Sequence, residues 1–270
     1  MRYEKQKITP SVAEKLLKSN GNNRKARIGD VTKYATIMSN GDWDEDSPEA
    51  IIISENGDIL NGQHRLMAIV KSKTTLNLWV GVDFPSSTFH CIDKGVKRSA
   101  GDDLTIMGIK YPQIIAGGIK SYLKIKAGYK NYQSTSITLY EKMITDTYSL
   151  KPEYWDAIAV RCQRYYKDFN QIISPAFIYG WLVALSELNE KDAEYFFDKL
   201  TTGIGINSKN DPVNMIRDFF IKSHADRHIN KPSLTYQTAV FIKAWNGYRK
   251  KKQIMNLRWI KDNEDYPKPI

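Results

Sequence analysis

The clearest patterning of apolar and polar positions lies between Glu49 and Lys71. The β-branched run Ile51-Ile52-Ile53 leads into Glu55-Asn56-Gly57-Asp58 and a second short strand, Ile59-Leu60. Asn-Gly between two such runs is the strongest short-range hairpin signal. Asn61-Gly62 then turns the chain, and from His64 the apolar residues Leu66, Ile69 and Val70 recur at helical spacing. Upstream, the pattern predicts a helix from about Ser11 to Ser19 with Val12, Leu16 and Leu17 on its apolar stripe, capped by Thr9 or Ser11. A second helix is predicted from about Ile28 to Ser39, with Val31, Tyr34, Ala35 and Met38 inward and Asn40-Gly41 at its end. Downstream, Leu76 to Val82 alternates as a sheet strand, Asp83-Phe84-Pro85 ends it, and Ser87 to Cys91 reads as a helical turn.

From Gln113 the period is helical throughout. Helices are predicted near residues 113–127, 137–148, 153–168, 175–188, 190–201, 211–223 and 234–252, with Pro152, Pro175 and Pro212 at first-turn positions. The expected fold class is therefore α+β: a small mixed sheet and helix domain over residues 1–112, then an all-α helical domain over 113–270. A chain of 270 residues holds enough material for both cores. The longest apolar run, Ala176 to Leu185, is broken by Gly180 and is too short to span a bilayer, so no membrane partner is expected.

Composition narrows this picture. With 41% apolar and 11% aromatic residues, general disorder is excluded. Cys91 and Cys162 lie far apart with no Cys-x-x-Cys pair, which fits buried thiols in a reducing cytoplasm better than a disulfide framework or a zinc ribbon. The first residues, Met1 to Lys7, lack the apolar core of a signal peptide.

Charge changes the picture further. The net charge is +10, and it is unevenly placed. Up to Pro112 there are 16 Lys and Arg against 14 Asp and Glu, or +2; from Gln113 there are 24 against 16, or +8. A basic second part points to a polyanionic partner, DNA first. Lys120, Lys124, Lys126 and Lys130 fall at near-helical spacing, and Arg249-Lys250-Lys251-Lys252 ends the last predicted helix. Lys120, Lys124, Lys130 and Arg249, Lys250, Lys251 and Lys252 are thus the candidate DNA contacts, with Tyr129 and Tyr132 as candidate stacking platforms for unpaired bases. The competing reading is a solvated basic surface, since four bases at a helix end also suit the macrodipole.

Candidate chemistry gathers at two loops. Asn61-Gly62 leaves the N–H groups of Gln63, His64 and Arg65 at a helix start, which attracts anions through unpaired donors and the helix dipole. Arg65 adds a guanidinium able to grip phosphate in a bidentate fork. The second loop, Ile92-Asp93-Lys94-Gly95-Val96-Lys97-Arg98, runs into a Ser99 helix cap and sets one acid among cations, the mixture that phosphoryl chemistry needs. Arg24, Lys25 and Arg27 form either a solvated rim or a second half of the phosphate clamp. The acidic loop Asp42-Trp43-Asp44-Glu45-Asp46 is either a Mg²⁺ site or a polar surface loop with Trp43 turned into the core. His224 and His228 stand four apart without a third ligand nearby, and neither a Walker loop nor a nucleophile elbow is present.

Asn61-Gly62-Gln63-His64-Arg65-Leu66, following a hairpin and opening a helix, resembles the Gly-x-His-Arg signature of the ParB/sulfiredoxin superfamily. It is more similar still to ParB-like proteins of phages and prophages, whose pattern extends through Asn23-Arg24, Met38 to Trp43, Ile92 to Gly95 and Arg98-Ser99-Ala100, and loosely to Lys243-Ala244-Trp245-Asn246. The resemblance implies a ParB/sulfiredoxin-like domain that binds ATP or CTP through Arg24, Asn61, Gly62, Gln63, His64, Arg65, Arg98 and Ser99. It also implies that His64 and Asp93 serve catalysis, with Asp93 a candidate Mg²⁺ ligand. The expected function is hydrolysis of a nucleoside triphosphate or transfer of its phosphoryl group, on or with DNA, and a homodimer is compatible with it. Two departures matter. Gln63 stands where sulfiredoxin carries its catalytic cysteine, so the sulfinic-acid chemistry should be absent. Asn61 stands where related kinases have an Asp, which favours a second reading, a non-catalytic DNA-binding module with a nucleotide switch. A third, a ParB-like nuclease, lacks a paired-acid and lysine constellation.

Overall fold

The computed structural model describes residues 1–19, 26–91, 99–128, 138–226 and 232–270, with Phe89 to Cys91 described by backbone alone. The fold is mixed α+β, and the chain divides into two compact units, Met1–Lys97 and Arg98–Ile270.

The first unit runs β1 (Arg2–Ile8), α1 (Pro10–Lys18), α2 (Ile28–Ser39), β2 (Ile51–Ser54), β3 (Ile59–Asn61), α3 (Gln63–Ser72) and β4 (Leu76–Phe84), followed by a 3₁₀ turn at Ser86–Cys91. The strands form one mixed sheet in the order β1-β4-β2-β3. β2 and β3 are the expected hairpin, with Gly57 at φ +85° in its turn. β4 runs parallel to β2, pairing Ile51 with Val80, and antiparallel to β1, pairing Ile8 with Leu76. Leu76, Leu78 and Val80 turn into the core while Asn77 and Trp79 face outward, as strand periodicity requires. They meet Ile51, Ile59, Leu66, Ile69, Ala35 and Met38. Thr9 caps α1 by accepting from the Val12 N–H.

β1 was not foreseen. Its sequence, Arg2-Tyr3-Glu4-Lys5-Gln6-Lys7-Ile8, buries only Ile8, so it carries almost no apolar alternation. It is an edge strand fastened by its ladder to β4, and its lysines are of the kind that guard such an edge against further pairing.

The second unit is helical: α4 (Ala100–Ile106), α5 (Pro112–Lys126), α6 (Glu141–Leu150), α7 (Pro152–Asp168), α8 (Pro175–Thr202), α9 (Pro212–Ala225) and α10 (Leu234–Arg249). Ala100 and Leu104 of α4 belong to this unit's core, so by contact the seam falls ahead of α4 rather than at residue 112. α8 covers both helices expected over 175–201, and a break at Asn189 (φ −164°, ψ 108°) separates them. There the Asn189 side chain caps the second half by accepting from the Asp192 N–H at 2.9 Å. The core is strongly aromatic, with Phe177, Trp181, Phe196, Phe197, Phe241 and Trp245 in mutual contact. Cys162 is buried there as a free thiol, donating to the Pro175 carbonyl at 3.3 Å, and burial pushes its pKa up to about 12. Among the described residues no helix is long and apolar enough to cross a membrane.

α10 ends three residues earlier than its sequence pattern suggests. Lys251 adopts a left-handed conformation at φ +51°, and the N–H groups of Lys251 and Lys252 turn back to the carbonyls of Tyr248 and Gly247, both at 3.0 Å. This pair of reversed bonds closes a helix in the Schellman manner, usually with glycine at the left-handed position. The following chain returns along α10, where Trp245 Nε1 donates to the Ile270 carbonyl at 2.9 Å and Asn246 to that of Lys268 at 2.8 Å.

α5 and α8 cross closely because each offers a glycine to the other. A Cβ on Gly118 would run into the ring of Tyr179, and one on Gly180 into Ser121. Tyr179 has nowhere to go, since it is fully buried and donates to the Trp155 carbonyl at 2.7 Å. Gly117, its neighbour on α5, would place a Cβ at an ordinary 3.5 Å from Ala176. Gly118→Ala should therefore lower the stability of the helical unit by about 2–3 kcal/mol through overpacking. Gly117→Ala should raise it by about 0.5–1 kcal/mol, because alanine is the better helix former. Urea unfolding of the two variants beside the wild type checks the contrast; equal effects would rule out the close crossing.

Candidate functional site

The turn that opens α3 is held from two sides. Gly62 sits at φ +100°, buried against β2, where a Cβ would lie 2.9 Å from Ile51 Cγ1. Only glycine satisfies both the left-handed backbone and that approach. Three residues on, Arg65 is 7% exposed. Its guanidinium donates to the main-chain carbonyl of Glu49 and, at 3.0 Å, to that of Ala50, with the Glu49 carboxylate 3.9 Å away. The side chain expected to fork onto phosphate is thus committed to two carbonyls just ahead of β2. In this position it is a strut between α3 and the sheet.

His64 faces the other way and is half-buried. Its Nε2 accepts the backbone N–H of Arg27 at 3.0 Å, tying the first turn of α3 to the residue that precedes α2. A neutral imidazole accepting at Nε2 carries its proton at Nδ1, so any hydrogen bond it gives an anion must come from Nδ1. Arg27 itself is exposed. It is the described member of the three bases Arg24, Lys25 and Arg27, and its backbone is tied to the first turn of α3. Gln63 is half-buried at the first position of α3, and Asn61 is half-buried at the end of β3, opposite Ile52.

Several other expected participants, Arg24, Asp93, Arg98, Lys130, Tyr129, Tyr132 and His228, lie outside the described residues. Ser99 is described, and its groups are engaged in a capping box. Its Oγ accepts from the Asp102 N–H at 3.3 Å, and its own N–H donates to the Asp102 carboxylate at 2.8 Å. The acidic loop also has structural partners. Asp46 pairs with Lys5 of β1 at 2.6 Å, Glu45 accepts from Asn77 of β4 at 2.9 Å, and Trp43 packs edge-on against Tyr34. The hydrogen bond from Lys5 holds the Asp46 carboxyl below its ordinary pKa. Among the described residues no group of three His, Cys, Asp or Glu stands close enough to hold a metal ion.

The basic residues of the helical unit separate into two kinds. Arg249 is paired with Asp192 and lies over the Trp245 ring, 5.6 Å from its centroid, so it is part of the packing. Lys126 is engaged by Tyr122 Oη at 2.9 Å and by Glu187 at 3.5 Å. Lys250, Lys251 and Lys252, by contrast, are exposed and have no acidic partner among the described residues. Lys120 and Lys124 sit one turn apart on α5, and burial, then the neighbouring Lys120 charge, holds the Lys124 amine below the usual lysine pKa.

Removing the Arg65 guanidinium takes the donor from the Glu49 carbonyl and from the buried Ala50 carbonyl. Arg65→Ala should destabilise the first unit by about 3 kcal/mol, the loss of two charge-assisted hydrogen bonds. Thermal and urea unfolding measure this, and an unchanged stability would place the guanidinium in solvent after all. No family model, curated protein or solved structure matches the chain, so the reading of this corner stands on its residues and their geometry.

Proposed function

We propose that the Met1–Lys97 unit is a ParB/sulfiredoxin-like domain that binds a nucleoside triphosphate, ATP or CTP, at the start of α3, and that the protein works with DNA through its helical unit. One observation carries the nucleotide reading: the Arg27 N–H donates to His64 Nε2, which ties the first turn of α3 to the residue that leads into α2. The helix dipole, the main-chain donors and the exposed Arg27 side chain would in this reading act together, which is what a polyphosphate requires. In this reading Arg65 fixes the corner, while Gln63, His64 and Arg27 meet the phosphates. Hydrolysis or phosphoryl transfer there would draw on His64, with Asp93 as base or Mg²⁺ ligand.

Gln63→Glu separates binding from folding. A carboxylate at the first helical position suits the helix dipole, so stability should hold. The same charge faces an incoming phosphate, and affinity should fall by about tenfold or more. Isothermal titration of wild type and Gln63→Glu with ATP, CTP and GTP in the presence of Mg²⁺ provides the comparison. No heat with any nucleotide, or equal affinities for the two proteins, overturns the assignment. Incubation with labelled triphosphate then distinguishes the enzyme from a nucleotide-switched binding module, because turnover lost in both His64→Ala and Asp93→Ala supports the enzyme.

For DNA, phosphate contacts should dominate, so affinity should fall with salt at a slope of about 0.9 per neutralised phosphate. Replacing Lys250, Lys251 and Lys252 together with Ala should lower affinity and slope for all sequences alike. Arg249→Ala should instead cost about 1 kcal/mol of stability, from its ion pair and its place over Trp245. Gel shifts at two salt concentrations with duplex and single-stranded probes check this; no shift at low salt would leave the lysines as a solvated surface.

A further inference from the structure

A cleft of about 340 Å³ opens in the helical unit between the loop that follows α8 and the turn that ends α10. Its size is that of a small-ligand site. One wall carries Asn207, Ser208 and Asp211, the other Lys251 and Lys252, and Lys199 of α8 also lines it. The two walls are stapled together by the Ile254 N–H donating to the Asn210 carbonyl at 2.9 Å. Gly247 permits this closeness, since a Cβ there would stand 2.6 Å from Ile254 Cδ1 and 2.9 Å from Pro212 Cγ.

The charges in the cleft do not cancel. Asp211 is its one acid, and both of its oxygens are in use: Oδ2 holds Lys199 Nζ at 2.5 Å, and Oδ1 caps α9 by accepting from the Val213 N–H at 2.8 Å. Lys251 and Lys252 are left uncompensated across from the Ser208 hydroxyl and the Asn207 amide. Lys251 is also the residue that occupies the left-handed position of the turn. Glycine would sit there without strain, so the chain keeps a cation at the rim of the cleft against its backbone preference.

We propose that this cleft binds a phosphate group, between the Lys251 and Lys252 ammonium groups on one wall and the Asn207 and Ser208 donors on the other. The phosphate belongs either to a free phosphorylated small molecule or to a nucleic-acid backbone. The proposal is independent of the corner at α3, and it shares only Lys251 and Lys252 with the DNA reading.

The test uses the full chain carrying Gln63→Glu, so that the α3 corner does not contribute. Two variants are compared with that background. Lys251→Gly removes a cation while relieving the left-handed residue, so its Tm should hold or rise. Asn207→Asp places a carboxylate on the opposite wall at an exposed position, which a flat lysine surface would not feel. The probes are inorganic pyrophosphate, followed by calorimetry, and a short fluorescein-labelled oligonucleotide, followed by anisotropy. Each variant should weaken binding by about fivefold, the effect of one unit charge at contact distance in water. A loss for pyrophosphate identifies a free phosphorylated ligand, and a loss confined to the oligonucleotide identifies a backbone phosphate. If neither probe binds, or if either variant leaves both affinities unchanged, the proposal is overturned. Oligonucleotide binding that the triple lysine variant abolishes but Asn207→Asp does not touch would keep the DNA reading and remove the cleft. Pyrophosphate binding without oligonucleotide binding would do the reverse.

Discussion

A guanidinium cannot shed its proton inside a protein, so a buried arginine has to be answered by acceptors. Arg65 is answered by the carbonyls of Glu49 and Ala50, and this requirement governs the first unit. It fastens the first turn of α3 to the residues that lead into β2. Gly62 presses the same turn against the next residue, Ile51, and His64 ties it to Arg27. Position and orientation of the α3 N-terminus are thus set by contacts to two segments, the residues from Glu49 to Ile51 and the residue that leads into α2. A helix start held in this way presents its dipole in a fixed direction, which is the preorganisation that an anion site needs. The same bonds explain why a residue type suited to grip phosphate serves here to fix a helix start instead.

Much of this was legible in the sequence wherever local chemistry decides. Asn56-Gly57 between two β-branched runs can do little other than turn back on itself, and β2 and β3 follow. Thr9 and Ser99 are placed where a helix needs a side-chain acceptor, and each accepts from an N–H of the first turn. What the sequence hid depends on partners distant in the chain. β1 is held by a ladder to a strand some seventy residues away, and a ladder leaves no mark on a polar sequence. The task of Arg65 is likewise invisible, because an arginine at a helix start reads the same whether it faces a ligand or a carbonyl. Arg249 misled for a similar reason: four consecutive bases look alike in sequence, yet Asp192 and Trp245 claim the first and leave the other three exposed.

The helical unit shows the opposite balance between backbone and side chain. Its central crossing is made by what is missing, two glycines that let α5 and α8 approach within the reach of main-chain atoms, and the aromatic cluster fills the space around them. Its surface charge is then sorted by pairing. Arg161 meets Glu194, Arg164 meets Asp198 at 2.7 Å, Lys199 meets Asp211 and Lys243 meets Glu264 at 2.7 Å. A net charge is a poor guide to a binding face, since several of its cations are already engaged, and the informative residues are among those that pairing leaves over.

The two candidate anion sites therefore differ in physical kind. At α3 the attraction comes from main-chain donors and a dipole whose geometry is set by buried contacts; it acts over about one turn and rewards a ligand whose oxygens fit. At the turn after α10 it comes from mobile ammonium groups on exposed stems, which act as point charges, reach further at low ionic strength and discriminate little between phosphates. Stapling the turn to the opposite loop through Ile254 and Asn210 changes that balance, because it holds the backbones of the two walls together. Spacing is what separates a cleft from a basic patch. A patch can only attract an anion, whereas two walls held a set distance apart can also measure it.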